Sequence, residues 1–118
     1  MIKGIGLDVI ELERIAALYK RKNSFADRIL TAKEKAVFEL LEDQRKTEFL
    51  AGRFAGKEAL AKALGCGIGE AFSFQDASIL ADKKGKPLVF LHKEVEGVMH
   101  VSITHTQTVA AAQVIWEC

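Results

Sequence analysis

No stretch of the 118-residue sequence approaches the 18 or so consecutive apolar residues that a membrane-crossing helix needs. The amino end, MIKGIGLDVI, has neither a long apolar core nor a small-residue cleavage site, so a cytoplasmic protein is expected. Charge of one sign is lacking too. The formal net charge is +1, without the basic excess of a general nucleic-acid binder, so electrostatic recognition must come from local patches. Cysteine is sparse: Cys66 and Cys118 lie far apart, with no CxxC and no histidine at ligand spacing, which removes zinc and redox motifs. There is no GxxxxGK[ST] phosphate loop and no long repeat. What remains is an ordinary globular composition, 49% hydrophobic and 28% charged, sized for one domain over residues 1–118.

The chain organises itself around FLAGRFAGKEALAKALGCG at 49–67. Phe49, Leu50, Phe54, Leu60 and Leu64 recur at helical spacing, and Gly65 and Gly67 stop the run. Ala51, Gly52, Ala55, Gly56, Ala59 and Ala63 make a second, smooth face. Mid-helix glycines cost about 1 kcal/mol each relative to alanine, so close packing must offset them and the helix should be largely enclosed. Glu58 and Lys62 stand one turn apart where the two faces meet. They form either a common i,i+4 surface pair or a carboxylate at a buried seam with a cation beside it.

Around this helix the predicted elements are mixed. Ile5, Leu7 and Val9 alternate with Gly4, Gly6 and Asp8, a strand whose glycines mark close approach by backbone or ligand and which leaves Asp8 beside empty space rather than bulky neighbours. Asp8 itself reads equally as a cap or as a site residue. Glu11 to Arg21 is helical, with Leu12, Ile15 and Leu18 or Tyr19 inward, and a break follows at Asn23–Ser24. Thr31 and Glu34 form a capping box opening a helix to about Leu41, with Val37, Phe38 and Leu41 inward. A polar junction at 43–46 leads into the central helix near Thr47 or Glu48. Strands are expected over 72–80, 88–91, 99–105 and 108–116, the first two joined by a KKGKP turn. Ala110, Ala111 and Ala112 leave room for a packed helix. The fold class is α+β, helices packed on a mainly antiparallel sheet.

Chemistry could reside in Asp8, Glu58, Lys62 and His105, backed by Arg45 and Arg53. Two carboxylates beside a lysine suit a hard cation shared with phosphate oxygens, although a single histidine at a strand end is often structural. Arg14, Arg21 and Arg28, with Leu18 and an exposed-looking Phe25, form either a solvated basic face or a grip for an acidic helix.

GIGLDVIELERI at 4–15, RILTAKE at 28–34, FLAGRFAGKEALAKALGCGIG at 49–69, GKP at 85–87 and VSITHT at 101–106 resemble, in order, the bacterial holo-[acyl-carrier-protein] synthases, which are small 4′-phosphopantetheinyl transferases. The resemblance implies the phosphopantetheinyl transferase fold. It also implies transfer of 4′-phosphopantetheine from coenzyme A to a serine of apo acyl carrier protein, releasing adenosine 3′,5′-bisphosphate and supporting fatty acid biosynthesis. By resemblance, Asp8 and Glu58 match magnesium ligands and Lys62 a lysine at the coenzyme A diphosphate. His105 matches a histidine near a coenzyme A phosphate, and Arg45 and Arg53, with Lys46 nearby, a basic group at the 3′-phosphate. Arg14, Arg21 and Arg28 match positions meeting the carrier protein, with Phe25 as their apolar companion. A homotrimer with active sites between subunits is implied as well. The base for the serine stays open between a water on the metal and a carboxylate such as Glu58. In many relatives a helix precedes the VSITHT strand, whereas HKEVEGVMH here is short. The rival readings are a non-catalytic coenzyme A or nucleotide binder and a structural trimer. The first would not need both acids, and the second does not explain them.

Overall fold

A computed structural model describes all residues, 1–118. In chain order the elements are β1 (Ile2–Glu11), α1 (Leu12–Arg21), α2 (Ser24–Ile29), α3 (Ala32–Phe38), α4 (Asp43–Leu64), a 3₁₀ turn (Phe74–Asp76), β2 (Ala77–Ala81), β3 (Pro87–Leu91), β4 (Val98–His105) and β5 (Val109–Glu117). The strands form two antiparallel sheets, one ordered β1-β5-β4 and the other the β2-β3 hairpin. The α+β expectation stands.

Helix α4 begins at Asp43, four or five residues before the expected start at Thr47 or Glu48, because the polar 43–46 segment is its solvated first turn. Gly65, at φ 83°, ends it in the left-handed conformation, and the Cys66 N–H closes on the Ala61 carbonyl at 3.1 Å. Its smooth face lies on β1 and β5. A Cβ on Gly6 would collide with the Ala59 carbonyl, and one on Gly4 with that of Ala63. The close approach expected at the glycines of β1 is made by the backbone of α4, which fills their face of the strand. Ala110 and Ala112 of β5 are buried on the same side, while Ala111 points to the other. Gly56 brings α4 within reach of Ile79 of β2 and Ile103 of β4, so one helix joins both sheets.

The register pairs Asp8 with Ala112 and Ala112 with Ile103. Opposed residues share a face, so Asp8 and His105 both point to the helix side. The other face carries Ile5, Leu7 and Val9, 61, 57 and 58% exposed, although each alternates with a glycine or aspartate that is covered. Three large apolar residues in a row on an open sheet face form a patch that a lone chain leaves wet.

Other expectations shift. The break expected at Asn23–Ser24 lies at Lys22 and Asn23, and Ser24 already opens the short helix α2. Helix α3 ends at Phe38, three residues early, with Phe38 buried and Val37 41% exposed. The segment from 72 is not strand until Ala77: Ser73 and Asp76 close a capping box that forces the 3₁₀ turn. The 92–97 connection is short and non-helical. Gly97, at φ 91°, lies against the last strand, and Trp116 donates its indole N–H to the Glu96 carbonyl at 2.7 Å.

Candidate active site

Asp8 leaves β1 where the helix side of the sheet meets the last two turns of α4. Lys62 reaches across: its ammonium donates to Asp8 Oδ1 at 3.1 Å and to the Leu7 carbonyl at 2.9 Å. The i,i+4 pair between Glu58 and Lys62 does not form, since Lys62 makes its ion pair with Asp8. Glu58, one turn earlier, lies at the seam predicted from the wheel. Burial pushes its carboxyl above the usual carboxylate range, and the nearby charge of Asp8 pushes it further. The Lys62 ammonium and the Arg14 guanidinium pull it back only in part.

Glu58, whose charge is opposed by burial and by the nearby Asp8, could together with Asp8 hold a cation. No group of three or more His, Cys, Asp or Glu residues that could hold a metal exists in the chain. A pair of carboxylates without imidazole or thiolate does not suit zinc. It fits magnesium, which takes one or two protein carboxylates and completes its shell from waters and substrate phosphates.

Glu58 also lines a cavity of about 400 Å³ together with Arg14, Arg28, Phe54, Ile68 and Phe74. Arg14 and Leu18 come from α1, Arg28 from α2, and the aromatic floor from α4 and the 3₁₀ turn. A second cavity adjoins it, lined by Arg21, Phe25 and Arg28. Phe25 is half-buried rather than exposed, its ring 6.3 Å from that of Phe54. The three arginines thus surround one apolar surface contiguous with Glu58.

The remaining candidates gather elsewhere. Arg45, Arg53 and His105 line a cavity of about 280 Å³ over Phe49, Gly52 and Ile103. Arg53 stacks on Phe49, 4.0 Å from the ring centroid, and donates its Nε–H to the Ile79 carbonyl at 3.1 Å. Burial lowers its pKa, with Glu34 opposing. Lys46 does not join the group; its ammonium lies over the Phe38 ring. The missed member is Glu48. Its carboxylate stands 3.7 Å from Arg45 Nε and 3.8 Å from His105 Nδ1. Its sequence signal was weak: an acid three residues after Arg45 reads as a surface pair. Arg53 and Glu58 are five residues apart on α4, about 140° around the helix, so the two clusters open on different sides.

Comparison with known proteins agrees with this geometry. The 4′-phosphopantetheinyl transferase superfamily matches over residues 4–114. The chain is 54% identical to the holo-[acyl-carrier-protein] synthase of Bacillus subtilis (strain 168), covering 99% of this chain and 97% of that protein. It is 53% identical to that of Listeria monocytogenes serotype 4a (strain HCC23), with 99% of each covered. The crystal structure of the Bacillus anthracis str. Ames synthase in complex with CoA (3′,5′-ADP) superposes with a TM-score of 0.93 at 46% identity, covering 99% of this chain and 97% of that one. The Neisseria meningitidis synthase follows at a TM-score of 0.89 and 35% identity, with 100% of each chain covered.

The fold and the match over nearly the whole chain define a phosphopantetheinyl transferase. Within that class, the chain belongs to the bacterial holo-[acyl-carrier-protein] synthase family. It is an enzyme that moves 4′-phosphopantetheine from coenzyme A to apo acyl carrier protein, in a family that requires magnesium. No helix is long and apolar enough to cross a membrane.

Proposed function

We propose that the transfer takes place between neighbouring copies of this chain, with the Glu58 side of one facing the Arg53 side of the next. The observation that carries this reading is the separation of the two charged clusters onto different faces of α4, combined with the open apolar face of Ile5, Leu7 and Val9. A single chain leaves the sheet face wet and the phosphate-binding arginines apart from the acids. A closed homotrimer covers the first and joins the second.

In this reading Asp8 and Glu58 hold magnesium, and Lys62, already on Asp8, lies beside the coenzyme A diphosphate. When bound, the metal neutralises phosphate charge and polarises the bond to the leaving bisphosphate. The Lys62 ammonium carries three hydrogens and gives two of them to Asp8 and the Leu7 carbonyl. The third is free for a phosphate oxygen, a charge-assisted hydrogen bond that strengthens as the leaving group gains charge. Arg45, Arg53 and His105 bind the 3′-phosphate end, where a fixed guanidinium stacked on Phe49 meets a dianion without reorganising. The carrier protein supplies the nucleophile, so the enzyme needs none of its own. The base for the serine is either a water at the metal site or a carboxylate such as Glu58.

Arg14, Arg21 and Arg28 ring the apolar mouth of that cavity and form the surface for an acidic carrier-protein helix. Cationic rims mainly raise association rates and are screened by salt. Subunit complementation tests the shared site. Asp8→Asn and Arg53→Ala chains, each inactive alone, are mixed under conditions of subunit exchange. Recovery of turnover supports a site built from two chains, and absence of recovery in a proven mixed oligomer refutes it. For the carrier surface, Arg14→Glu is expected to raise KM for the carrier protein by about tenfold, through loss of steering, and to leave KM for coenzyme A unchanged. Steady-state kinetics at low and high salt, varying each substrate in turn, check it; equal damage to both substrates contradicts the assignment.

A further inference from the structure

The best-built polar cluster in the molecule lies outside the metal, phosphate and carrier-protein contacts. Lys57, next to Glu58 on α4, has a fully buried side chain, as has Glu34. The Lys57 ammonium lies 2.7 Å from the Ile29 carbonyl, 2.9 Å from the Phe74 carbonyl and 2.5 Å from Glu34 Oε1. An ammonium has three hydrogens, and each has an acceptor. Glu34 is equally occupied. Its Oε1 also accepts from the Thr31 N–H at 2.8 Å and the Thr31 hydroxyl at 3.2 Å, and its Oε2 accepts from the Ile79 N–H at 2.7 Å. Because the Thr31 hydroxyl gives its hydrogen to Glu34, it accepts from Ser78 Oγ at 2.7 Å, and Ser78 in turn accepts from His92 Nε2 at 2.9 Å. Every dipole in the chain of hydrogen bonds points at one carboxylate.

A fully buried ammonium whose every hydrogen has an acceptor offers nothing to a substrate; what it can do is hold position. The carbonyls that Lys57 holds belong to the last residue of α2 and the first of the 3₁₀ turn. Ile29 and Phe74 are also walls of the cavity that Glu58 lines. The same ammonium therefore ties two separate walls to the helix turn that carries Glu58.

We propose that Lys57 is a positioning residue for phosphopantetheine transfer: held on Glu34, it clamps α2 and the 3₁₀ turn against α4 and so fixes the cavity walls relative to the Glu58 carboxylate. The inference rests on the reading that Glu58 serves the reaction. In-line transfer needs the reacting atoms aligned, and a displacement of about 1 Å can cost on the order of a hundredfold in rate.

The test compares Lys57→Met with the paired variant Lys57→Met/Glu34→Gln, each as the full chain. The paired variant leaves no uncompensated buried charge, which keeps the fold testable where the single variant unfolds. Coenzyme A binding is read by calorimetry and turnover by mass spectrometry of the carrier protein. The expected result is a folded paired variant that binds coenzyme A within about twofold of the parent, since neither Lys57 nor Glu34 lines the cavity of Arg45, Arg53 and His105, and the Arg53 Nε–H keeps its bond to the Ile79 carbonyl. Its kcat falls by about tenfold or more. A paired variant with the parent's kcat overturns the proposal. So does a parallel loss of coenzyme A binding and turnover, or failure of the paired variant to fold, since either makes the pair a general support of the fold. Glu58→Gln is measured alongside. If it keeps full activity, the reading of Glu58 fails and the positioning role with it; if it is inactive while the paired variant is unimpaired, only the positioning role fails.

Discussion

Lys57 and Lys62 stand five residues apart on one helix, and each is paired with a carboxylate, yet the two pairs have opposite characters. Lys57 and Glu34 are wholly enclosed, and every hydrogen on the ammonium has an acceptor. The Lys62 side chain is 49% exposed, and its partner Asp8 16%. Burial pushes the Lys57 ammonium down and Glu34 opposes it; three oxygen acceptors leave no place for a neutral amine's lone pair. A closed pair can only hold the fold in place, whereas an open one can change partners as substrate arrives. The difference comes from what surrounds each residue, because the side chains are the same.

Breaking the closed pair is expected to have the largest effect. Lys57→Met alone strands the Glu34 charge in the interior and should cost about 3–5 kcal/mol. Urea unfolding checks it; a loss below about 1 kcal/mol would mean that water reaches the cluster. Next comes the open pair's acid. Asp8→Asn should lower kcat by at least about a hundredfold, more than loss of an outer-shell group does. Its unfolding midpoint should barely move, because the replaced pair is partly solvated. Lys62→Met sharpens the contrast: its stability cost should stay under about 1 kcal/mol, as for other wet ion pairs. A cost like that of Lys57→Met would erase the distinction between the pairs.

The smallest effect concerns Glu58 without metal. Its folded carboxyl holds a proton more tightly than its unfolded one, because burial and then Asp8 disfavour the charge. Below the ordinary glutamate range both states are protonated and no penalty exists. As pH rises through the folded value, the charge is forced on and stability falls. Glu58→Gln should therefore stabilise the metal-free protein at neutral pH by no more than about 0.5 kcal/mol, after allowance for solvent screening. The gain should vanish in acid; denaturation followed from about pH 4 to about pH 8, across the glutamate range, checks it. An unchanged or lower stability at neutral pH would show that Lys62 and Arg14 outweigh the burial.

The Thr31–Glu34 box was legible because its two residues are three apart and their hydrogen bonds depend on local backbone alone. The rest of Glu34's role was not, since its other partners are Lys57, 23 residues away, and Ile79, 45 away. One signal was available. Lys57 sits one heptad from both Leu50 and Leu64, within the bulky apolar stripe, where a lysine needs a partner. The Asp8–Lys62 contact spans 54 residues and likewise depended on β1 and α4 meeting.

The amino-acid order by itself determined the central helix, its glycine stop, the smooth face, the hairpin and the identity of the acids and arginines. These follow from periodicities and caps that act over a few residues. Tertiary structure alone decided that a helix backbone, and not a ligand, lies on the glycine face of β1. The alternation of Ile5, Leu7 and Val9 names a buried side by hydrophobicity, but Gly4 and Gly6 are where a helix backbone can lie against the strand. Close backbone approach takes the glycine face, and the apolar residues are left on the open side of the sheet.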